Sequence, residues 1–481
     1  MPNESQQNSV VLPLCVDLDG SLTPTDTLWE GCLKLIRSNP AYLVKMLYWL
    51  LLGKARFKLH VSQRISLDAS LLPYTQSLLD YLQAQKQAGR HLCLVTAANQ
   101  KIAGSVASHL GLFDKVLSSD ADTNLSGRRK ATRLIEEYGE KGFVYAGNAN
   151  VDLSVWKHAA AAVLVNASTR LGQQVRKRGI AVEGEYSFAT KGKFRSLFRA
   201  LRPHQWAKNS LLFVPIVLAS SQPQASWLNV LFGFISFSLT ASSIYIINDL
   251  FDLDADRKHP TKRRRPFASA SLPIPFGISV IPVLLCLAFY LAWTINLTFM
   301  LLMLVYVVLT TAYSIHLKLH ALVDVFTLAI LYTLRIIAGV FAANIVVSHW
   351  LLAFSVFFFL SFAFAKRYSE LHNLAEAGDL AAGTRGYVVR DLPIISLFGV
   401  VSSYLSIMVM IMYIHDQQAN RMYSEPMWLW GISMVLLYWV SRVWLKAYRG
   451  HMDEDPVLFA MHDKVSYMVA LVVAISFWLA L

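Results

Sequence analysis

The chain has 481 residues, a net charge of +13, 55% hydrophobic residues and a mean hydropathy of +0.42. Its apolar residues are uneven: residues 1–195 read as an ordinary soluble protein, and residues 209–481 mostly as long apolar runs separated by short loops. Four cysteines (Cys15, Cys32, Cys93, Cys286) show no metal spacing, which argues against a zinc framework or a disulfide scaffold and fits a reducing compartment. The first residues, M-P-N-E-S-Q-Q-N, lack a basic stretch followed by an apolar one, so no cleavable signal peptide is expected.

Val10 to Val16 is a short apolar run ending in D-L-D-G-S-L-T-P-T-D, which predicts a buried strand delivering Asp17 and Asp19 onto a loop at its carboxyl end. Leu28 to Leu72 lacks strands. It contains A-Y-L-V-K-M-L-Y-W-L-L-L-G-K-A-R-F-K, too short to span a bilayer and flanked by Lys45, Lys54, Arg56 and Lys58. This reads as a helical cap, either lying against a membrane surface or packed on the core. A helix to Ala88, a strand His91–Thr96, a helix to Leu110, and strands Lys115–Ser118, Phe143–Ala146 and Ala162–Asn166 follow. That rhythm predicts a Rossmann-like parallel sheet with helices on both faces and ligands at the strands' carboxyl ends. Asp17, Asp19, Thr96, Lys130 and G-N-A-N-V-D (Gly147 to Asp152) cluster there.

These four stretches resemble the motifs of the haloacid-dehalogenase-like phosphatases: D-x-D-G-[ST], a strand ending in Thr or Ser, a lone Lys, and G-[DN]-x-x-x-D. The resemblance implies that Asp17 is the nucleophile, forming an aspartyl-phosphate, and Asp19 the general acid/base. It implies that Thr96 and Lys130 hold phosphate, and that Asp17, Asp19 and Asp152 hold Mg²⁺. Asn148 stands where many members have a metal-binding Asp.

Nine apolar segments follow, at roughly 209–221, 227–247, 273–293, 297–315, 321–343, 350–365, 394–414, 427–445 and 464–481. Loops on one side carry Arg199, Arg202, Lys208, the basic run after residue 256, Lys318, Lys366, Arg367, Arg385, Arg390, Lys446 and Arg449. The alternate loops carry only Arg421. The expectation is nine spans in an inner or plasma membrane, with the N-terminal domain cytoplasmic. The stretch from Ile247 to Pro266, I-N-D-L-F-D-L-D-A-D-R-K-H-P-T-K-R-R-R-P, sets carboxylates at helical spacing against a basic run. Together they suggest a divalent metal carrying a phosphorylated substrate. A second polar group, Tyr313, Lys318, Asp324 and Arg335, is expected on the same face, with Asp324 and Arg335 inside apolar runs where charges usually mark function.

This half resembles the UbiA superfamily of intramembrane transferases. Their hallmark N-D-x-x-D-x-x-x-D is here Asn248, Asp249, Asp252 and Asp256, whereas L-V-D-V-F-T-L around Asp324 lacks the second carboxylate of most members. The resemblance is nearest to the decaprenyl-phosphate phosphoribosyltransferase branch. It is carried by L-R-P-H-Q-W-A-K-N (Leu201 to Asn209), H-P-T-K-R-R-R-P (His259 to Pro266), Tyr313 with Lys318, Asp324 and Arg335, Lys366 to Leu371, and Glu454 to Ala460. It implies Mg²⁺ on Asp249, Asp252 and Asp256, with Asn248 alongside. It also implies phosphate contacts from Lys262, Arg263 and Arg265, and an acceptor phosphate held by Lys208, Lys318 and Arg335, with Lys366 a weaker candidate. The expected partners are a polyprenyl phosphate, a phosphorylated-sugar donor and the bilayer, and not nucleic acid. The expected architecture is an α/β haloacid-dehalogenase domain with a helical cap (1–195), then an all-α UbiA-like membrane domain of about nine helices (196–481). A prenyltransferase using a polyprenyl diphosphate is the alternative reading, and an ion-coupled transporter or scaffold a third. A coupling site belongs near the bilayer midplane, whereas these carboxylates close a helix beside a basic loop.

Overall fold

The computed structural model describes residues 11–188, 192–219, 226–376, 383–416, 423–452, 459–460 and 462–481. Val10, Arg421 and Glu454 to Leu458 lie outside them. The chain divides into two compact units, Met1–Leu201 with Tyr245–Ile281, and Arg202–Ile244 with Pro282–Leu481.

The first unit is built on six parallel strands: β1 (Leu14–Val16), β2 (Leu92–Asn99), β3 (Lys115–Ser119), β4 (Val144–Gly147), β5 (Ala161–Val165) and β6 (Ala181–Tyr186). They are ordered β3-β2-β1-β4-β5-β6. The central strands are unbroken apolar runs because both faces are covered. One core packs Leu14, Val16, Leu92, Leu94, Val144 and Val163, and the other packs Cys15, Cys93, Val95, Tyr145, Ala162 and Leu164. β6 was not expected from the sequence. It is an edge strand whose A-V-E-G-E-Y alternates exposed and half-buried positions and so lacks a buried run.

Helices α1 (Thr27–Ser38), α2 (Tyr42–Leu51) and α3 (Lys54–Arg64) form the cap around Cys32, Leu35, Met46, Trp49, Phe57, Val61 and Ile65. Asp26 starts α1 by accepting from the backbone N–H of Leu28 and Trp29. Helices α4 (Gln76–Gln87), α5 (Gln100–Leu110), α6 (Arg128–Tyr138), α7 (Leu153–Trp156), α8 (Thr169–Lys177) and α9 (Lys193–Leu201) complete the domain.

The unit also takes in the turn after a long apolar helix. The Glu30 carboxylate on α1 receives two N–H groups of Arg257, at 2.6 and 2.9 Å, plus the Thr25 hydroxyl at 2.7 Å. The two charged side chains are only 3% and 6% exposed. Arg257 also donates to Ala268 O at 3.0 Å.

In the second unit, α10 (Val214–Leu218) follows a 3₁₀ stretch, Pro203–Phe213. The long helices are α11 (Trp227–Phe251), α12 (the short continuation Leu253–Lys258), α13 (Ile274–Ile295), α14 (Leu297–Ile315), α15 (Val323–Ala343), α16 (His349–Glu376), α17 (Leu392–Ile414), α18 (Leu429–Tyr448) and α19 (Lys464–Ala480), with α11, α12 and α13 reaching into or lying in the first unit. Among the described residues seven are long and apolar enough to cross a membrane: α11, α13, α14, α15, α16, and α17 and α18 with their leading 3₁₀ turns. Nine such helices are not confirmed among the described residues. Residues 209–218, with Pro215, fold as the end of the 3₁₀ stretch plus α10, and α19 has 17 residues, or about 26 Å at 1.5 Å per residue against a ~30 Å hydrocarbon core. The protein is nevertheless a multi-pass membrane protein. Close approach sets the packing here: a Cβ on Gly339 would stand 2.2 Å from the backbone oxygen of Leu212.

Two outcomes are expected in detergent-solubilised protein. Gly339→Val forces a backbone to move and should cost ~3 kcal/mol or more of stability, read as a lower melting temperature, because overpacking against main chain has no side chain to yield. Glu30→Leu leaves Arg257 buried without its charge partner and should cost ~3–5 kcal/mol, whereas Glu30→Leu with Arg257→Met should recover most of that loss. Equal melting temperatures for the single and double variants would contradict the account of the pair.

Candidate active sites

Asp17 leaves β1 at its carboxyl end, where its backbone N–H bonds Ala146 O of β4 at 3.0 Å. Lys130 of α6 donates to Asp17 Oδ1 at 2.8 Å and to the Tyr145 hydroxyl at 2.8 Å, and Tyr145 donates to Asp152 Oδ1 at 3.1 Å. Asp152 Oδ2 accepts the backbone N–H groups of Asn148 and Ala149 at 3.0 and 2.9 Å. Asp17, Lys130 and Asp152 thus converge through Tyr145. Asp19 accepts from Thr27 N at 2.9 Å, and Thr96, fully buried within β2 rather than ending it, accepts from Ala98 N at 3.0 Å. Gly20 has φ +80°, and a Cβ there would meet the Asn148 amide at 2.0 Å, so glycine is needed twice over.

Burial pushes the Asp19 carboxyl up to about 7, helped by the charge of Asp26 and opposed by the Thr27 N–H. Burial also raises Asp17, against the pull of Lys130. Carboxyls so placed gain from a nearby cation. Asp17 and Asp19 suit a hard divalent ion by donor type. As placed, Asp152 spends both oxygens on Tyr145 and the loop backbone.

The second constellation in this unit follows α11. Asp252 breaks the helix (φ −100°, ψ 17°), yet Asp252 N bonds Asn248 O at 2.9 Å and Asp256 N bonds Asp252 O at 2.8 Å, so the four-residue spacing persists into α12. The carboxylates of Asp249 and Asp256 converge on one cationic atom: Arg265 Nη1 lies 3.2 Å from Asp249 Oδ1 and 2.8 and 2.9 Å from the Asp256 oxygens. Burial raises Asp256 while Arg265 opposes that shift. Asp252 is paired instead with Arg37 of α1 at 2.9 Å, and Asp254 with Lys34 at 2.8 Å. Lys262 and Arg263 are exposed in the 3₁₀ turn Lys262–Arg264. A cavity of about 360 Å³ lies at this seam, lined by Lys34, Arg37, Leu250, Phe251 and Asp254 among others.

A point already shared by two carboxylates and a guanidinium is one a hard cation would fit, with Asp252 one turn away. Among the described residues no three His, Cys, Asp or Glu side chains stand together as a ready metal cluster.

In the second unit, Asp324 is fully buried. It accepts from Arg367 Nε, from the Tyr387 hydroxyl at 2.6 Å and from Val325 N at 2.7 Å. Arg367, also fully buried, pairs with Glu370 and donates to the Tyr313 hydroxyl at 3.0 Å, to which Arg385 donates at 3.4 Å. Tyr313 and Asp324 are thus joined through Arg367. Arg335 belongs to a different network: it donates to Asn209 Oδ1 at 2.9 Å, Leu331 O at 2.6 Å and the Tyr306 hydroxyl at 2.9 Å. Lys208 lies in the 3₁₀ stretch before α10 and Lys318 in the turn Leu317–Leu319, both half-buried.

Sequence reasoning missed Tyr145, Lys58, Glu30, Lys34 and Arg37, and it read Arg367 as a topology charge. Lys58 of α3 donates to Ala97 O at 2.7 Å and Asn124 Oδ1 at 2.8 Å, near Asp17 and Asp19. The one usable signal was the spacing of Glu30, Lys34 and Arg37 along a single helix face.

The pattern of the UbiA prenyltransferase family matches residues 210–479. An uncharacterized protein of Sinorhizobium fredii, y4nM, is 36% identical over 98% of this chain and 91% of its own length. The decaprenyl-phosphate phosphoribosyltransferase of Mycobacterium tuberculosis is 38% identical over 37% of this chain and 60% of its own. Among solved structures, a UbiA homolog from Archaeoglobus fulgidus bound to GPP and Mg²⁺ is similar with a TM-score of 0.44, at 18% identity over 59% of this chain and 98% of that one. By the extent of these matches, the chain belongs to the UbiA prenyltransferase family.

Proposed function

We infer that the chain transfers a phosphoribosyl group from phosphoribosyl pyrophosphate to a polyprenyl phosphate, and that its N-terminal domain then removes a phosphate from the lipid-borne product. The observation that supports this most is the pair of carboxylates, Asp249 and Asp256, converging on one cation point at the end of an apolar span beside a basic run. The likeness to the mycobacterial phosphoribosyltransferase supports the choice of group transferred.

Mg²⁺ held by Asp249, Asp252 and Asp256, with Asn248 alongside, would neutralise charge on the departing pyrophosphate. Lys262, Arg263 and Arg265 grip phosphate oxygens, the arginines by bidentate contacts. The acceptor phosphate oxygen bonds to the anomeric carbon as the bond to pyrophosphate breaks. Lys208 and Lys318 hold that acceptor. Arg335 acts on it indirectly, fixing Asn209 next to Lys208. In the hydrolase domain Asp17 attacks phosphorus, Asp19 protonates the leaving oxygen, and Lys130 and Thr96 hold the phosphoryl oxygens. A second Mg²⁺ at Asp17 and Asp19, with Asp152 behind them, would balance the charge there. The two activities divide the chain at about residue 195 and share the cytoplasmic face of the inner membrane. The family's name keeps a second reading in view, transfer of a polyprenyl chain from its diphosphate.

Purified protein with Mg²⁺, a polyprenyl monophosphate and radiolabelled phosphoribosyl pyrophosphate should place label in the lipid fraction. Asp252→Asn should lower that by ~100-fold or more. Asp17→Asn should leave it intact while the lipid product keeps its sugar phosphate. Absence of lipid label from Mg²⁺-binding protein would favour the polyprenyl-diphosphate reading.

The raised Asp19 carboxyl generates a pH prediction. Its folded value of about 7 exceeds its unfolded one, so its contribution to stability is full below about pH 4 and lost as pH rises through about 7. In chelator, the melting temperature of the parent should therefore fall between pH 5 and 8 more than that of Asp19→Asn. Added Mg²⁺ should reduce the difference.

A further inference from the structure

Helix α2 has an unusual surface. Met46 and Trp49 point into the cap, whereas Leu43, Val44, Leu47, Tyr48, Leu50 and Leu51 are 50–85% exposed. Lys45, Lys54 and Arg56 border this apolar face and are exposed as well. At 10 residues, about 15 Å, the helix is too short to cross a bilayer. It has the make-up of a helix lying in the headgroup plane, its apolar face in the acyl boundary and its cations among anionic lipids.

Its place in the fold gives a second, independent argument. Arg37 near the end of α1 donates to Phe251 O at 2.6 Å and pairs with Asp252 at 2.9 Å. Phe251 is the last residue of α11, an apolar helix of 25 residues that is long enough to span. The chain therefore leaves α1 at the level where a membrane span ends, and α2 starts five residues after Arg37. The same chain thus places the end of a helix long enough to span a bilayer within a few residues of α2. On the far side of Gly53, α3 carries Lys58 beside the hydrolase aspartates, so the exposed helix and the cover of that site are one hairpin.

We propose that α2 is an in-plane membrane anchor, and that it presents the hydrolase site to phosphomonoesters carried on membrane lipids. The substrate half rests on the hydrolase reading above; the anchor does not. In the reaction the Asp17 carboxylate takes the phosphoryl group, the ester oxygen leaves on the lipid with a proton from Asp19, and water cleaves the aspartyl-phosphate to inorganic phosphate.

The test uses the full chain in vesicles containing anionic lipid. In a Cys286→Ser background, where the remaining cysteines are buried, an environment-sensitive fluorophore is placed at Leu47→Cys, Leu51→Cys or, as control, Asp80→Cys on α4. Labels on α2 should emit to the blue of the control and be quenched by lipids spin-labelled high on the acyl chain. Labels matching the control would overturn the anchor. So would blue emission without lipid quenching, which would put a protein surface, such as a second copy, on this face.

A Val44→Glu/Leu47→Glu/Leu51→Glu variant is then assayed for phosphate release from free ribose 5-phosphate and from ribose 5-phosphate joined to a polyprenyl phosphate in the vesicles. The first rate should hold and the second fall by about tenfold or more. Equal loss on both would assign α2 a folding role only. Failure of the parent protein on both would remove the hydrolase reading and the substrate half, and the quenching result would still decide the anchor.

Discussion

A carboxylate and a guanidinium, both almost out of reach of water, face each other at Glu30 and Arg257. Burying two charges is costly unless their partners are placed well, and here Thr25 and Ala268 O supply the additional hydrogen bonds. The arrangement around the aspartate turn depends on this pair. With Glu30 fixed, Lys34 and Arg37 fall one and two turns along the same face of α1, where they meet Asp254 and Asp252. Thr25 and Thr27, on the other side of Glu30, hold Gly20 and Asp19. One helix thereby touches both sets of aspartates, about 230 residues apart in sequence.

Much of the fold was legible where a single physical signal dominated. Central strands covered on both faces must be unbroken apolar runs, and β1, β2, β4 and β5 were recognisable for that reason. An edge strand carries no such obligation, so β6 passed unnoticed. Apolar length marked the seven long helices. The same criterion did not separate residues 209–218, where the structure has the end of a 3₁₀ stretch and a short helix starting near Pro215, with the buried Asn209 donating to Ser238.

The sites divide along similar lines. Motif residues contiguous in sequence, such as Asp17 with Asp19 and Asp249 through Asp256, could be singled out as candidates because chemistry and spacing coincide. Their partners were not: Lys58 comes from the cap, Arg37 from a helix that precedes its aspartate by more than 200 residues, and Arg367 reaches Asp324 across 43 positions. Apart from the helical spacing of Glu30, Lys34 and Arg37, no local pattern marks these charges, which become useful only after folding. Arg367 shows the hazard best, since a loop-like basic residue turned out to be fully buried.

Arg265 already sits between Asp249 and Asp256. A metal ion held at that point, as proposed above, would have to take the place of the guanidinium, exchanging a tethered organic cation for an inorganic one. The apparent affinity of such a site is a difference between two electrostatic attractions, weaker than the carboxylates alone would give. The displaced side chain would then be free beside the ion to meet the oxygens of an anion carried with it, so that metal and anionic ligand would assist each other's arrival through one arginine.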